Sequence, residues 1–394
     1  MALIDIFRKN KNEEIEEYYN AKPLLRLNAF YNFLISTRAK GKSYQIQKYV
    51  LERAWLDRNS NNPTHHVMYI RRYEKYTTQY NVDDYWSHMA PVIEEITNGE
   101  YNRIVSYRSV LYWAKFDAET LEISKGPPMG KYLALNTSTN LKSLSFPQIE
   151  NIIFEEFQVR LNEQYIPDEV NIFLDLVSTV VRNLNPSETT KKVFLIGNKT
   201  SRRCPYFDYF GMGHVRKMQA GEIQLYEEKA GKDEVTLKIA VQDCDLVKAD
   251  TKVFVGEKNK NQAAGVYECR TLPDDKKFKG NVKKDYRKAY ELIMECEDFR
   301  YLCRLLTPVD GGKFNGWFWF ISVYDYNADE WVYDGRRRII SDKFYNSPLA
   351  TTNLRPIAEE EVTALNLLLN GKKQYDSALT YTEFEDFLLE ASRR

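Results

Sequence analysis

One pattern constrains this chain more than any other. Between residues 29 and 198, short apolar runs alternate with longer stretches of helical periodicity. The runs are Ala29–Ser36, His66–Arg72, Tyr132–Asn136, Ile149–Phe157 and Lys192–Asn198. Helical patterns fall at Tyr44–Arg58, around Asp83–Asn98 and at Val170–Leu184. In the last of these, Phe173, Leu176, Val177, Val180 and Val181 recur at spacings of three and four. Apolar strands separated by helices bury both of their faces when they form a parallel, doubly wound α/β sheet.

After Cys204-Pro205 the texture changes. Residues 206–224 are aromatic and Gly-containing and read as a linker, so the first domain is expected over 1–205, with residues 1–22 as a charged helix or arm. From 225 the runs become short and hairpin-like, with Ala230-Gly231 between two alternating segments. Trp317–Asp325 and Glu330–Arg336 read as a second hairpin around Asn327-Ala328, and a Thr382-x-x-Glu385 capping box opens a final helix. A smaller α+β domain over 225–394 is the expectation, and a length of 394 residues suits two cores better than one.

Composition narrows the partners. Lys+Arg and Asp+Glu balance at 56 each, so a nucleic-acid partner would need a local basic surface. No run of 18 apolar residues and no leader-like segment occurs, so no membrane span is expected. Cys204, Cys244, Cys269, Cys296 and Cys303 are scattered without a CxxC pair, as in a reduced intracellular protein. His65-His66 lacks partners at ligand spacing and reads as a loop pair.

Three segments carry chemistry. The run ending at Ser36 is followed by Thr37-Arg38-Ala39-Lys40-Gly41-Lys42-Ser43 and then a helix. A phosphate-binding loop needs inward backbone N–H groups, a helix N-terminus, a Lys for the β/γ-phosphates and a hydroxyl for Mg²⁺. Lys42 and Ser43 fill the last two roles. Ser36, however, stands where the motif has its first Gly, and Gly-Lys-Ser alone also arises by chance. The run at 149–157 ends in Glu155-Glu156. Such a pair can place a metal-side acid (Glu155) and a water-activating base (Glu156). Alternatively, a strand simply exits into solvent there. The run ending in Gly197-Asn198-Lys199 either offers a polar sensor, Asn198, or makes an ordinary turn. Phosphate loop, paired acids and sensor come in the order used by RecA/ASCE-type P-loop ATPases.

These segments resemble the DNA-packaging ATPases of tailed phages. "STRAKGKS" looks like the deviant Walker A of the large-terminase type, with Arg38 three residues before the Gly. "IIFEEF" resembles its Walker B, although Glu155 stands where Asp is usual. "FLIGNKTSRRCPYFDYFG" resembles the coupling segment of the compact small-podovirus type. The resemblance covers about residues 22–212. It implies ATP and Mg²⁺ as cofactors and a homomeric ring, commonly a pentamer, that threads double-stranded DNA through the portal of a procapsid. A scaffold RNA is a possible further partner. It implies a host-cytoplasmic protein, transiently at the portal vertex and absent from the mature virion. It also implies a trans-acting Arg, for which Arg182 is the candidate and Arg202 and Arg203 are rivals, and an RNase H-like second domain. Asp243, Asp245, Asp325 and Asp334 give no nuclease ligand pattern, so that domain is expected to be vestigial.

Residues 251–290 hold eleven Lys/Arg against five acids. That excess suits a phosphate-gripping surface, but it equally suits a solvated one. Arg71, Arg72 and Lys75 follow the second strand and are candidate DNA contacts. Two rival functions stay open: a conjugation- or secretion-type pump ATPase, and a non-enzymatic nucleic-acid-binding assembly protein.

Overall fold

The computed structural model describes residues 2–8, 15–141, 146–159, 165–181, 190–199, 204–212, 215, 218–229, 235–248, 273–296, 299–309, 316–323, 338–341, 359–377, 380–381, 383–385 and 388. The chain divides into two compact units, Met1–Tyr267 and Glu268–Arg394.

In the first unit the described elements are β1 (Ala2–Phe7), α1 (Lys22–Arg26), β2 (Tyr31–Ser36), α2 (Lys42–Leu56), β3 (His66–Arg71), α3 (Gln79–Ser87) and α4 (Ala90–Thr97). There follow β4 (Arg103–Tyr107), β5 (Val110–Phe116), β6 (Ile123–Ala134), β7 (Ile149–Glu155), α5 (Glu169–Val180) and β8 (Lys192–Asn198). The unit closes with α6 (Pro205–Tyr209), β9 (Ile223–Lys229) and β10 (Val235–Asp243). The strands form one sheet in the order β1-β9-β10-β2-β8-β7-β3-β6-β5-β4. The central stretch from β10 to β6 pairs in parallel throughout. The flanks are antiparallel. The expected parallel α/β sheet is therefore present.

Why these runs become central strands is plain from their two faces. Phe33 and Ile35 point into one core with Ile152, Phe154, Phe173 and Val177. Leu34 and Ile153 point into the other with Ile46, Val50 and Trp86. Alternate side chains leave opposite faces of a strand, so apolar residues at every position require cover on both sides. Truncating a fully buried residue such as Leu34 to Ala is expected to cost roughly 2–5 kcal/mol. Helix α2 supplies part of that cover with Ile46, Val50, Leu51 and Ala54.

Three expectations are corrected here. Residues 1–22 are not simply a charged arm, because β1 pairs antiparallel with β9 at the sheet edge. The stretch read as a linker is core: Tyr206, Phe207, Phe210 and Met212 are buried against Phe33, Phe154 and Phe157. The hairpin after residue 225 belongs to the first unit, because β10 pairs in parallel with β2 and so extends its sheet. The boundary thus falls at Tyr267/Glu268, not within 206–224.

The second unit contains α7 (Val282–Asp285), β11 (Tyr286–Cys296), β12 (Phe299–Pro308), β13 (Phe318–Val323), β14 (Arg338–Ser341), α8 (Glu359–Asn370) and β15 (Lys373–Tyr375). Its sheet order is β14-β11-β12-β13-β15, with an antiparallel β11-β12-β13 meander and parallel edges. Leu292, Tyr301, Trp319, Leu368, Tyr375 and Phe384 form its core. The expected partner strand at 330–336, Asp325, Asp334 and Thr382 lie outside the described residues, as does most of the basic stretch at 251–290.

Candidate nucleotide site

Open α/β sheets bind ligands beyond the carboxyl ends of their parallel strands. At that edge, strand order brings together segments far apart in sequence. β8 lies between β2 and β7, so the sensor-like end is flanked by the loop strand and the paired-acid strand.

The loop leaves β2 at Ser36, which is fully buried (0%). Ala39 (φ 60°) and Gly41 (φ 90°) adopt left-handed backbone, and α2 starts at Lys42. Gly bears that conformation without strain, whereas Ala39 does so at a cost of about 1–2 kcal/mol. Arg38 and Lys40 are half-buried along the loop and Ala39 is exposed. The Tyr19 N–H donates to the Lys40 carbonyl (2.9 Å), tying the segment before α1 to the loop.

Lys42 is 6% exposed and turns back into the loop. Its ammonium donates to Ser36 Oγ (2.6 Å), the Thr37 carbonyl (3.2 Å) and Asn198 Oδ1 (3.5 Å). Ser36 Oγ itself donates to the Thr37 carbonyl (2.5 Å). The hydroxyl that replaces the first Gly is thus wired into the loop. Burial holds the Lys42 ammonium below its ordinary pKa, opposed by Cys244, Glu155 and Asp245.

Glu155 and Glu156 diverge at the end of β7. Glu155 is 8% exposed. It accepts from the Tyr85 hydroxyl (2.9 Å) and from the Ser43 hydroxyl. Burial raises its pKa, while Ser43, Arg71, Tyr85 and Lys42 pull it back. Glu156 turns the other way with φ 58°, a left-handed conformation that strains a non-Gly residue by about 1–3 kcal/mol. Arg71 Nη2 donates to its carboxylate (2.7 Å).

Arg72 holds that strained turn. Its guanidinium donates to the Glu156 carbonyl (2.9 Å) and the Phe157 carbonyl (2.6 Å). It also forms a two-pronged pair with Glu169 (2.7 and 3.1 Å). Glu169 in turn accepts from Tyr206 (3.0 Å) and the Ile166 N–H (2.9 Å). Arg72 is 3% exposed, so the expectation that it contacts DNA is corrected: its donors are spent inside the fold. Arg71 is likewise turned toward Glu156. Lys75 alone of the three is exposed, its ammonium 4.8 Å from the Tyr76 ring centre.

Ser36, Lys42 and Asn198 are therefore in contact, as are Ser43 and Glu155, and Arg71 and Glu156. Arg182, Arg202 and Arg203 lie outside the described residues. Sequence reasoning missed Tyr85, which leaves no local signal. It also misassigned Asp243 and Asp245 to the second domain, although Asp243 ends β10 and Asp245 follows it beside the loop. Among the described residues no group of three or more His, Cys, Asp or Glu is arranged to hold a metal. The Ser43 hydroxyl beside the Glu155 carboxylate is nevertheless the hard-oxygen pair that suits Mg²⁺, an ion that takes few protein ligands and completes its shell with phosphate and water.

The profile of the podovirus DNA encapsidation protein (Gp16) family matches residues 14–230. The chain belongs to this family. Relatives include the DNA packaging proteins of Bacillus phage B103, 28% identical over 48% of this chain and 50% of that one, and of Bacillus phage phi29, 26% identical over 50% of each. The matched part of this Gp16-family chain thus spans half the length of those curated relatives. Among solved structures, a chain of the bacteriophage phi29 viral genome packaging motor assembly overlays 96% of this chain and 100% of its own at a TM-score of 0.47, with 19% identity. No helix among the described residues is long and apolar enough to cross a membrane.

Proposed function

We propose that this Gp16-family protein is a DNA-packaging motor that hydrolyses ATP to move double-stranded viral DNA into a procapsid. The observation that carries this reading is the convergence of Lys42, Ser43, Glu155, Glu156 and Asn198 at the carboxyl edge of β2, β7 and β8. Chance would not bring a Gly-Lys-Ser loop, a paired-acid strand end and an Asn-bearing strand end to one edge.

In this reading, Lys42 and Arg38 take the ATP phosphates, and loop N–H groups from Thr37 to Ser43 line their path. Ser43 and Glu155 hold Mg²⁺, which neutralises charge on the phosphates when bound. Glu156 orients and deprotonates the attacking water. Asn198, already 3.5 Å from the Lys42 ammonium, is positioned to register the change in phosphate charge. Arg71 occupies Glu156, so hydrolysis requires that contact to open first. A neighbouring subunit in a ring, commonly a pentamer, supplies the trans Arg, with Arg182 the candidate. Lys75 and the basic stretch at 251–290 offer phosphate contacts to DNA. The portal and a scaffold RNA are the assembly partners, with the protein in the host cytoplasm and only transiently at the portal vertex. The second unit is a vestigial RNase H-like domain; plasmid degradation with Mn²⁺ that is lost in Asp325→Ala would overturn that part.

The test is ATP turnover by the full chain, alone, with double-stranded DNA and with procapsids. The wild type is expected to hydrolyse ATP faster with DNA, and Lys42→Ala to lose at least about a hundredfold of the rate, as befits removal of a transition-state charge. A wild type with no turnover under any of these conditions contradicts the proposal.

A further inference from the structure

Asp243 and Asp245 have no role in the mechanism outlined above, yet they stand against its loop. The parallel register sets Asp243 beside Ile35, so the chain after β10 runs alongside the start of the loop. The Cys244 N–H donates to the Ile35 carbonyl (2.8 Å) and continues that pairing. Asp245 Oδ1 then accepts two hydrogen bonds from Thr37, from its N–H (2.7 Å) and its hydroxyl (2.9 Å). Asp245 Oδ2 pairs with the Lys199 ammonium (2.7 Å), and the same ammonium pairs with Asp243 Oδ2. The Lys199 N–H donates to the Ser36 carbonyl (3.0 Å). The ends of β2, β8 and β10 are thereby tied together through one loop residue and one lysine.

Thr37 is the centre of this arrangement. Asp245 holds its N–H from one side. On the other side its carbonyl accepts from both Lys42 (3.2 Å) and Ser36 Oγ (2.5 Å). The N–H and the carbonyl belong to successive peptide groups joined at the Thr37 Cα, and Asp245 anchors the residue through both its N–H and its hydroxyl, so turning Thr37 about its Cα would take the carbonyl away from the Lys42 ammonium. Loops with Gly at the first position keep backbone freedom there, whereas here Ser36 is buried and the following peptide is fixed by a carboxylate. The charges suit that task. Burial would raise the Asp245 carboxyl, but Lys199 and the Thr37 donors outweigh it and hold the group below the usual carboxylate range. Lys199 is held above its ordinary value because its two carboxylates outweigh burial.

We propose that Asp245, held by Lys199, is a positioning residue of the phosphate loop: it anchors Thr37 through its N–H and hydroxyl so that the Thr37 carbonyl seats the Lys42 ammonium. This inference rests on the ATP reading of the site. It makes Lys199, next to Asn198 on β8, a second route by which the sensor strand feels the loop.

The experiment is affinity for a fluorescent ATP analogue, with thermal melting alongside, for full-length wild type, Asp245→Ala, Asp245→Asn, Lys42→Ala and the Asp245→Ala/Lys42→Ala double variant. Asp245→Ala is expected to weaken binding about tenfold in the wild-type background and less than about twofold in the Lys42→Ala background, because residues acting through one another are not additive. Asp245→Asn keeps an acceptor oxygen for Thr37 and is expected to lose less, and it carries the comparison if Asp245→Ala fails to fold. Equal losses in both backgrounds, or a fall in melting temperature with unchanged affinity, would overturn the positioning role. Failure of the ATP reading looks different: the wild type itself would not bind the analogue.

Discussion

The two sides of the proposed ATP site are restrained in opposite ways. On the loop side, a carboxylate just after β10 holds backbone: Asp245 fixes Thr37, and Lys42 rests on what that fixes. On the glutamate side, guanidinium groups from the end of β3 hold acids: Arg72 clamps the turn that carries Glu156, and Arg71 takes the Glu156 carboxylate itself. The loop-side contacts hold the buried Lys42 ammonium on Ser36, Thr37 and Asn198. The Arg71 contact engages the group that is to activate water. Under the proposed function, the difference means that backbone is fixed on the loop side, while on the glutamate side the water-activating group is held by a contact that must open.

The Arg72–Glu169 pair is the contact whose loss is expected to matter most to folding. Removing one partner of a buried pair typically costs about 3–5 kcal/mol. Arg72→Ala is therefore expected to lower the denaturation midpoint strongly and to abolish activity with it. A soluble Arg72→Ala protein with wild-type stability would mean the clamp is dispensable. The Arg71 side chain is 19% exposed and pairs with the Glu156 carboxylate and the Tyr69 hydroxyl without the backbone contacts that Arg72 makes, so its loss should act on rate more than on stability. Arg71→Ala is expected to raise DNA-independent ATP turnover a few-fold by freeing Glu156, on the scale of one surface-accessible ion pair. A turnover unchanged or lowered, with nucleotide affinity intact, would show that Arg71 aligns Glu156 instead of restraining it.

The smallest effect concerns pH. Burial pushes the Asp243 carboxyl up to about 6, relieved in part by Lys199. The unfolded chain loses that proton near the ordinary value of about 4. Between about 4 and 6 the folded protein therefore holds a proton that the unfolded chain has lost, so this group makes stability fall as pH rises through that window. Melting temperatures measured across it should fall less steeply for Asp243→Asn than for the wild type. Parallel curves would place the Asp243 carboxyl at its ordinary value.

How much of this was legible in the sequence differs between the two sides of the site. The loop and the Glu155-Glu156 strand were readable because their signals are local. A Gly-Lys-Ser opens a helix, and an unbroken apolar run ends in two acids. What tied them in place was not. Thr37 and Asp245 lie 208 residues apart, and Arg72 and Glu169 lie 97 apart. Nothing local marks Arg72 as buried. Two basic residues after a strand look like a surface until a carboxylate on α5 is brought beneath one of them. β10 misled for a similar reason. It forms a hairpin with β9, which the alternation showed, but its other edge pairs with β2, which only tertiary packing decides. The aromatic stretch at 206–212 looked like a connector because it contains Gly, whereas its rings fill the core beneath Phe33 and Phe157.

The central claim is that Glu156 is the base of an ATP-hydrolysing site whose loop binds nucleotide independently of it. The most direct measurement is single-turnover ATP hydrolysis and nucleotide affinity on the same full-length Glu156→Gln protein in the presence of double-stranded DNA. The account predicts affinity within about threefold of wild type and hydrolysis reduced by at least about a hundredfold, the size expected for loss of a general base. Hydrolysis by Glu156→Gln at the wild-type rate would contradict it.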